Sequence, residues 1–487
     1  MASKGSRRVA TAPRPPPADT ALSRFTSRFA IPGLVDVSLV RGWLPIVVQV
    51  IALAVVLAAV GWRSRTWRSR WVPVAAAVGV AFAAVAYWFV TDQDLADDPA
   101  PVLLWPWVAM TGLAVVVAVL GWRGSRWWRR VTSLAAIPLC TVCVALLVDG
   151  WTGYLPTLDA ALGRATGAAL PSQTDEAGVA DMRRRHVHPT EGTLVSVRIG
   201  ADASGFRHRD ELVYLPPAWF AGDAPPELPA VIMAGGEFGH PIDWPTTGQA
   251  RQTADAFAAA HGGNAPVLVF VDTSGEFSND TECVNGIRGN AADHLTKDVV
   301  PFVVSHFGTS SDAARWGFVG WSAGGTCALM TTVMHPELFS AFVDVDGELG
   351  PTAGSRQQTI ARLFGGDATA FTAFDPATVM EAHGQYTGPA GWFAVSTPGP
   401  TVYYPAGGNP PDQRPADIAP EDHLAVASYL CPLASSHGIP CAVVPTAGNH
   451  DFGGAARAFA AALPWLAGRL GTPATPVVPL PGAAPAS

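Results

Sequence analysis

The chain has 487 residues, of which 49% are hydrophobic and only 14% charged, with a formal net charge of −8. A mean hydropathy of +0.24 is too high for a chain wholly in water, so part of it is expected in lipid. The acidic balance, with no basic tract beyond the flanks of the apolar runs, gives no sign of nucleic-acid binding, and six cysteines in this length do not make a disulfide scaffold.

Residues 1–43 read as a basic tail. Four apolar runs follow, at Leu44–Trp62, Val72–Val90, Val102–Trp122 and Val131–Val148. Each is about 18–21 residues long, enough to cross a bilayer core as a helix, so residues 44–148 are expected to be a unit of four transmembrane helices. Arg63, Arg65, Arg68 and Arg70 lie between the first two runs, and Arg123, Arg126, Arg129 and Arg130 between the last two. Asp92, Asp94, Asp97 and Asp98 occupy the middle loop. The positive-inside rule then puts both arginine loops in the cytoplasm and everything after Asp149 outside. The tail disagrees, because it holds Lys4, Arg7, Arg8, Arg14, Arg24, Arg28 and Arg41. Phe29–Val40 is too short to span, and as an interfacial or re-entrant piece it would keep that tail inside.

Residues 149–190 read as a linker. Its pair His186 and His188 lacks a third ligand at a defined spacing, so it reads as solvated chain rather than a metal site. From about 191 to 470, short apolar strands alternate with helices. The strands are Thr193–Ile199, Glu211–Leu215, Ala230–Ala234, Val267–Val271, Arg315–Val319, Phe339–Val343, Thr401–Pro405 and Ala442–Pro445. Helices are expected at Thr247–Ala260, Leu295–Phe307, after Gly324, and at Ala455–Leu470. This pattern predicts an α/β fold, with a mostly parallel sheet covered by helices on both faces and ligands at the carboxyl ends of its strands. Residues 471–487, rich in Pro and Ala, read as a disordered tail.

Gly320-Trp321-Ser322-Ala323-Gly324 is a G-x-S-x-G motif set between an apolar strand and a helix. That context is the nucleophile elbow of α/β hydrolases, in which the glycines spare the turn a Cβ it has no room for. Ser322 is the expected nucleophile. The hydrolase chain order of Ser, acid, His selects His450 as base, since it follows the last strand and precedes the last helix. His423 and His437 read as surface residues. The acid should follow the preceding strand. Asp412 is the first carboxylate after Thr401–Pro405, with Asp417, Glu421 and Asp422 as competitors. The oxyanion hole needs two backbone N–H groups, assigned to Ala323 and to Gly236 after the Ala230–Ala234 strand.

Taken together, Ser204-Gly205-Phe206 through Val213-Tyr214-Leu215-Pro216-Pro217, Pro229–Gly236 with Trp244, Gly320–Gly325 and Gly448-Asn449-His450-Asp451-Phe452 resemble the esterase D group of α/β hydrolases. That group includes enterochelin esterases, feruloyl esterases, S-formylglutathione hydrolases and mycolyltransferases. The resemblance covers roughly Gly192 to Leu470 and implies the α/β-hydrolase fold, with Ser322 as nucleophile and His450 as base. Ala234-Gly235 stands where the family often has His-Gly, and the loop Gly407–Asp412 is longer than the usual Gly-x-x-Asp. Four membrane runs followed by such a domain also resemble a group of actinobacterial membrane esterases.

The expected activity is therefore a membrane-anchored, extracytoplasmic serine hydrolase acting on acyl esters, with no metal or organic cofactor. Discharge of the acyl-serine to a sugar or lipid hydroxyl would instead make it an acyltransferase. A non-catalytic scaffold is the rival of a different class. Phe364, Phe371, Phe374, Tyr386, Trp392 and Phe393 are candidates to line the acyl pocket or simply to pack. Cys283 with Cys327 and Cys431 with Cys441 is one of three pairings open to the exported cysteines, and free buried thiols are the alternative.

Overall fold

In a computed structural model, the protein is described from residue 37 to 482, apart from residues 62, 94, 96–98, 124, 168 and 398–417. The apolar runs form helices α1 (Trp43–Val60), α2 (Val72–Gln93), α3 (Leu104–Leu120) and α4 (Trp127–Thr152). A π-type turn, Trp67–Trp71, leads into α2. Three of these are long and apolar enough to cross a membrane: α1, α2 with its leading turn, and α4. The expected third crossing is shorter. Between Pro101 and Gly121 only 17 residues are helical, about 25 Å at 1.5 Å per residue.

The helices pack through small residues, with Ala52, Ala59, Ala75 and Ala83 buried. A Cβ on Gly79 of α2 would lie 2.4 Å from the Ala109 carbonyl oxygen of α3. Such close backbone approach is how helices associate where lipid removes the hydrophobic driving force. The arginine loops meet at one end of the bundle, where Arg63 donates to the Gly121 carbonyl (3.0 Å). At the other end, Leu39 N–H donates to Pro156 O (3.0 Å), and Arg362 of the following domain pairs with Asp92 (2.7 Å).

That domain is built on a nine-stranded sheet: β1 (Gln173–Asp175), β2 (Thr193–Val197), β3 (Glu211–Leu215), β4 (Ala230–Ala234), β5 (Val267–Phe270), β6 (Trp316–Trp321), β7 (Ala341–Val345), β8 (Ala390–Thr397) and β9 (Cys441–Ala447). The spatial order is β1-β2-β3-β5-β4-β6-β7-β8-β9. Only β3 runs against its neighbours. The strands read as continuous apolar runs because both faces are buried. In β4, Ala230, Ile232 and Ala234 enter one core and Val231 and Met233 the other. Helices α5 (Ala250–Ala260) and α10 (Phe452–Arg469) cover the second core. Helices α6 (Val300–Phe307), α7 (Ala323–Met334), α8 (Arg356–Phe364) and α9 (His423–Ser436) cover the first. Reversal of one strand near the edge of a parallel sheet, together with this order, is the α/β-hydrolase layout that the sequence implied.

The expected strand Thr401–Pro405 lies outside the described residues; among the described residues the strand before β9 is β8, which the sequence reading missed. Two expectations need correction. Residues 149–190 are not a bare linker. They hold helices Leu158–Thr166 and Glu176–Arg184, capped by the side chains of Thr157 and Asp175, and β1 adds to the sheet edge. Their short, polar elements carry too little periodicity to be read. The chain beyond 470 is ordered through residue 482, with Val478 and Leu480 packed against the α10 side of the core. Of the two roles open to the six aromatic candidates, packing is the one seen: all are buried in the domain core, and none lines the cavity of Ser322.

Candidate active site

β6 delivers Ser322 at its carboxyl end, and α7 begins at the next residue. Ser322 has φ 58° and ψ −129°, a conformation a non-glycine residue adopts only when its surroundings impose it. Three backbone hydrogen bonds do so. Ser322 N–H donates to Val345 O (2.9 Å), and its carbonyl accepts from Gly325 (2.7 Å) and Thr326 (3.2 Å). The flanking glycines are obligatory. A Cβ on Gly320 would sit 1.7 Å from Gly324 O, and one on Gly324 would sit 2.5 Å from Ala234 O.

The loop after β4 brings Gly236 against the serine. A Cβ there would lie 3.0 Å from Ser322 Cβ. Ala323 is the first residue of α7 and points its N–H from an end where no intrahelical acceptor exists. Gly236 and Ala323 line one narrow cavity of about 10 Å³ with Glu282 and Cys283. The loop is pinned from behind: Gly239 N–H donates to Gly236 O (2.9 Å), and Arg209 Nη2 donates to Gly239 O (2.7 Å). Arg209 is held in turn by Asp272, which accepts from its backbone N (2.6 Å), Nε (2.9 Å) and Nη2 (2.6 Å). Burial alone would raise the Asp272 pKa, but Arg209 outweighs it and holds the carboxyl at about 2. Sequence reasoning missed Arg209 and Asp272. Their nearness to the loop depends on β3 and β5 pairing, and no motif announces it.

His450 sits between β9 and α10, whose first turn is capped by Asp451 accepting from Gly454 N–H (2.7 Å). Ser322 and His450 line the same cavity of about 30 Å³. The His450 ring lies 5.2 Å from that of Trp321 and is stacked on His423, with centroids 4.6 Å apart. His423 is therefore buried, not the surface residue the sequence suggested. Its Nδ1 lies 3.4 Å from Gly347 O. Asp412 and Asp417 lie outside the described residues. Of the other carboxylate candidates, Asp422 caps α9 by accepting from Ala425 N–H (3.0 Å), and Glu421 is exposed.

Three further residues of this cavity come from the end of α4 and the chain just after it: Trp151, Thr152 and Tyr154. The Tyr154 hydroxyl donates to the Glu237 carbonyl. The paired cysteines are Cys283–Cys327 and Cys431–Cys441, with Cys140 and Cys143 free in α4. The first bridge fastens the loop of Cys283 to α7, five residues past Ser322.

Among the described residues, one group has donor atoms close enough to hold a metal ion: His208, Glu211 and His294, within 4.8 Å of one another. Several of those donors already have partners. His294 Nε2 faces Glu211 Oε1 (3.2 Å) and its Nδ1 faces Asp298 Oδ2 (3.3 Å), while His208 Nδ1 lies 2.9 Å from Arg209 O. Burial opposes a charge on His294, but the two carboxylates outweigh it and raise its pKa. The three side chains form a buried network of hydrogen bonds and ion pairs with Asp298. His186 and His188 do not converge, since His188 Nδ1 contacts Phe220 O (2.8 Å).

A family profile described as "Putative esterase" matches residues 207–367. An uncharacterized protein of Corynebacterium glutamicum is 31% identical over 424 residues, covering 83% of this chain and 91% of that one. Among solved structures, an S-formylglutathione hydrolase from Agrobacterium tumefaciens is similar at 15% identity and TM-score 0.45, covering 58% of this chain and 97% of the other. MPT51 of Mycobacterium tuberculosis is similar at 17% identity and TM-score 0.38, covering 56% and 99%. With a relative aligned along most of its length, and the family profile running through both the Gly236 loop and the Ser322 turn, the chain belongs to this esterase family.

Proposed function

We propose that the protein is a serine hydrolase that cleaves carboxylic esters through an acyl-serine. The observation that carries this is Ser322, held in a forced conformation at the apex of the β6–α7 turn, in one cavity with His450. In the first half-reaction Ser322 Oγ attacks the ester carbonyl carbon while His450 takes its proton. The oxyanion forms against the Gly236 and Ala323 amides. Collapse expels the alcohol, which takes the proton from His450. In the second half-reaction water attacks the acyl-serine by the same route and the acid leaves. An alcohol in place of that water would complete acyl transfer, and product analysis separates the two. The acid that orients His450 is drawn from residues 398–417, with Asp412 the first choice. The flanks of that segment support this reading: Gly448 N–H donates to Thr397 O (3.1 Å) on one side, and His423 stacks on His450 on the other.

The apolar helices are proposed to cross a bilayer with the arginine loops in the cytoplasm, leaving the hydrolase domain outside. The test is to purify the full chain in detergent, label it with a fluorophosphonate, and follow p-nitrophenyl ester hydrolysis. Labelling and turnover should both vanish in Ser322→Ala. A folded wild type that neither labels nor turns over ester refutes the proposal.

A further inference from the structure

We infer that the end of α4 and the strap that follows it form part of the active site, and that the substrate is an amphiphilic ester presented from the bilayer rather than from water. The inference rests on the serine-hydrolase reading above. Trp151 and Thr152 are the last two residues of α4, yet they wall the cavity that holds Ser322 and His450. They lie within one helical turn of Val148, where the apolar run ends. A nucleophile at that height sits where a membrane helix leaves the hydrocarbon layer. The aromatics around it suit that level: Trp151 at the end of α4, Tyr154 on the strap, and Phe238 stacked at 5.0 Å on Phe277, which is 67% exposed. Trp and Tyr favour the membrane interface because one end of each is apolar and the other wet.

The strap is docked on the catalytic machinery itself. The Tyr154 hydroxyl donates to the carbonyl of Glu237, next to Gly236. Its ring packs edge-on against Trp321 (5.9 Å) and Phe452 (5.1 Å), the neighbours of Ser322 and His450. Thr247 Oγ1 donates to Tyr154 O (2.9 Å). Gly153, with φ +72°, lets the chain pass so close to α10 that a Cβ would lie 3.2 Å from Asp451 Cβ. Trp151, Thr152 and Tyr154 leave only about 30 Å³ against Ser322 and His450, room for a water or two, so a bulky acyl chain is accommodated by displacing the strap. An ester whose acyl chain arrives along α4 gains contacts with the strap as it displaces it. A soluble ester does not, and only such differential binding can shift the closed state.

The experiment uses the full chain in phosphatidylethanolamine–phosphatidylglycerol nanodiscs. It compares a soluble 4-methylumbelliferyl acetate with a 4-methylumbelliferyl palmitate partitioned into the disc. Wild type should prefer the disc-borne ester by about tenfold or more in kcat/KM. Tyr154→Ala should raise kcat/KM on the acetate about fivefold, mainly through KM, and lower it on the palmitate. Tyr154→Phe keeps the ring and removes only the hydrogen bond to Glu237, so it should move the acetate rate in the same direction by about threefold even if the alanine variant is unstable. Equal wild-type turnover of the two esters, or variants that change both by one factor, would overturn the inference while fluorophosphonate labelling of Ser322 persists. Absence of labelling in wild type would overturn the serine-hydrolase reading as well.

Discussion

Replacing Asp272 by Asn tests whether the ion pair behind the Gly236 loop is what holds it. Asp272 is 1% exposed and accepts from Arg209 at three atoms and from Ser274 and Gly275 N–H. Its pKa is held at about 2 against an ordinary 3.8. At 1.36 kcal/mol per unit, that is about 2 kcal/mol of stability at neutral pH. Removing the carboxylate also strands a guanidinium that is only 22% exposed, in the direction of the 3–5 kcal/mol cost of breaking a buried pair. A loss of about 2–3 kcal/mol should lower Tm by roughly 5–10 °C in a domain of this size. The sign follows from the depressed pKa. The stabilisation is complete above the unfolded value near 4 and disappears as pH falls through 2. The Tm gap between wild type and Asp272→Asn should therefore be constant from pH 8 to 5 and close below pH 4. Because Arg209 also donates to Gly239 O, kcat/KM should fall about tenfold with KM little changed. A variant whose Tm matches wild type within about 1 °C at pH 7, or a gap that widens in acid, would refute the reasoning.

Asp412→Asn should lower kcat by about 10³-fold or more, as expected when the acid that fixes the histidine tautomer is lost, and Asp417→Asn by no more than about threefold; the reverse outcome in steady-state kinetics reassigns the acid. Gly320→Ala, with its Cβ 1.7 Å from Gly324 O, should cost about 3 kcal/mol or more and abolish fluorophosphonate labelling. Asp344 is buried within β7, and desolvation raises its pKa to about 7. Its folded form holds a proton that the unfolded chain releases near pH 4, so stability is full below about 4 and is lost progressively as pH rises to about 7. Asp344→Asn should therefore leave Tm nearly unchanged at pH 3.5 and raise it increasingly up to pH 7, with little further gain by pH 8.5. Reducing Cys283–Cys327, which are 44 residues apart, should cost about 4 kcal/mol on the loop-closure scale, seen as a dithiothreitol-dependent drop in Tm.

The elements that were legible are those whose residues admit one arrangement. Ser322 could be placed because Gly320 and Gly324 tolerate nothing larger, and that constraint is written in the local sequence. The strands β4, β5, β6 and β7 were legible as unbroken apolar runs, which only a sheet covered on both faces demands. β8 escaped because Pro389 precedes it and Gly391 interrupts it. A Cβ on Gly391 would fall 2.1 Å from Phe342 Cζ, so the glycine serves a ring on the neighbouring strand β7. Val402-Tyr403-Tyr404 has the stronger local β preference, which put the expected strand there, among residues outside the described ones. Propensity is local, whereas the reason for Gly391 is a residue nearly fifty positions earlier.

The same distinction separates the legible half of the site from the rest. The serine, the histidine and the glycine loop each carry a sequence signal, because each is fixed by its own turn. His423, Arg209 and Tyr154 carry none, because each acts through a partner supplied by another part of the fold: His423 against His450, Arg209 against Asp272 and Gly239, Tyr154 against Glu237, Trp321 and Phe452. A helix followed by a left-handed glycine, as α4 is by Gly153, is a recognisable helix end in any sequence. What that end touches is decided by how two units dock. Here the docking has two points, Asp92 with Arg362 and the strap with the catalytic loops. Both lie at the end of the bundle away from the arginines. Helices that only tethered the domain would need neither contact, and could meet it on any face. They meet the carboxyl edge of the sheet, where Ser322 is, and that choice of face is the physical reason behind the proposal that they take part in substrate binding.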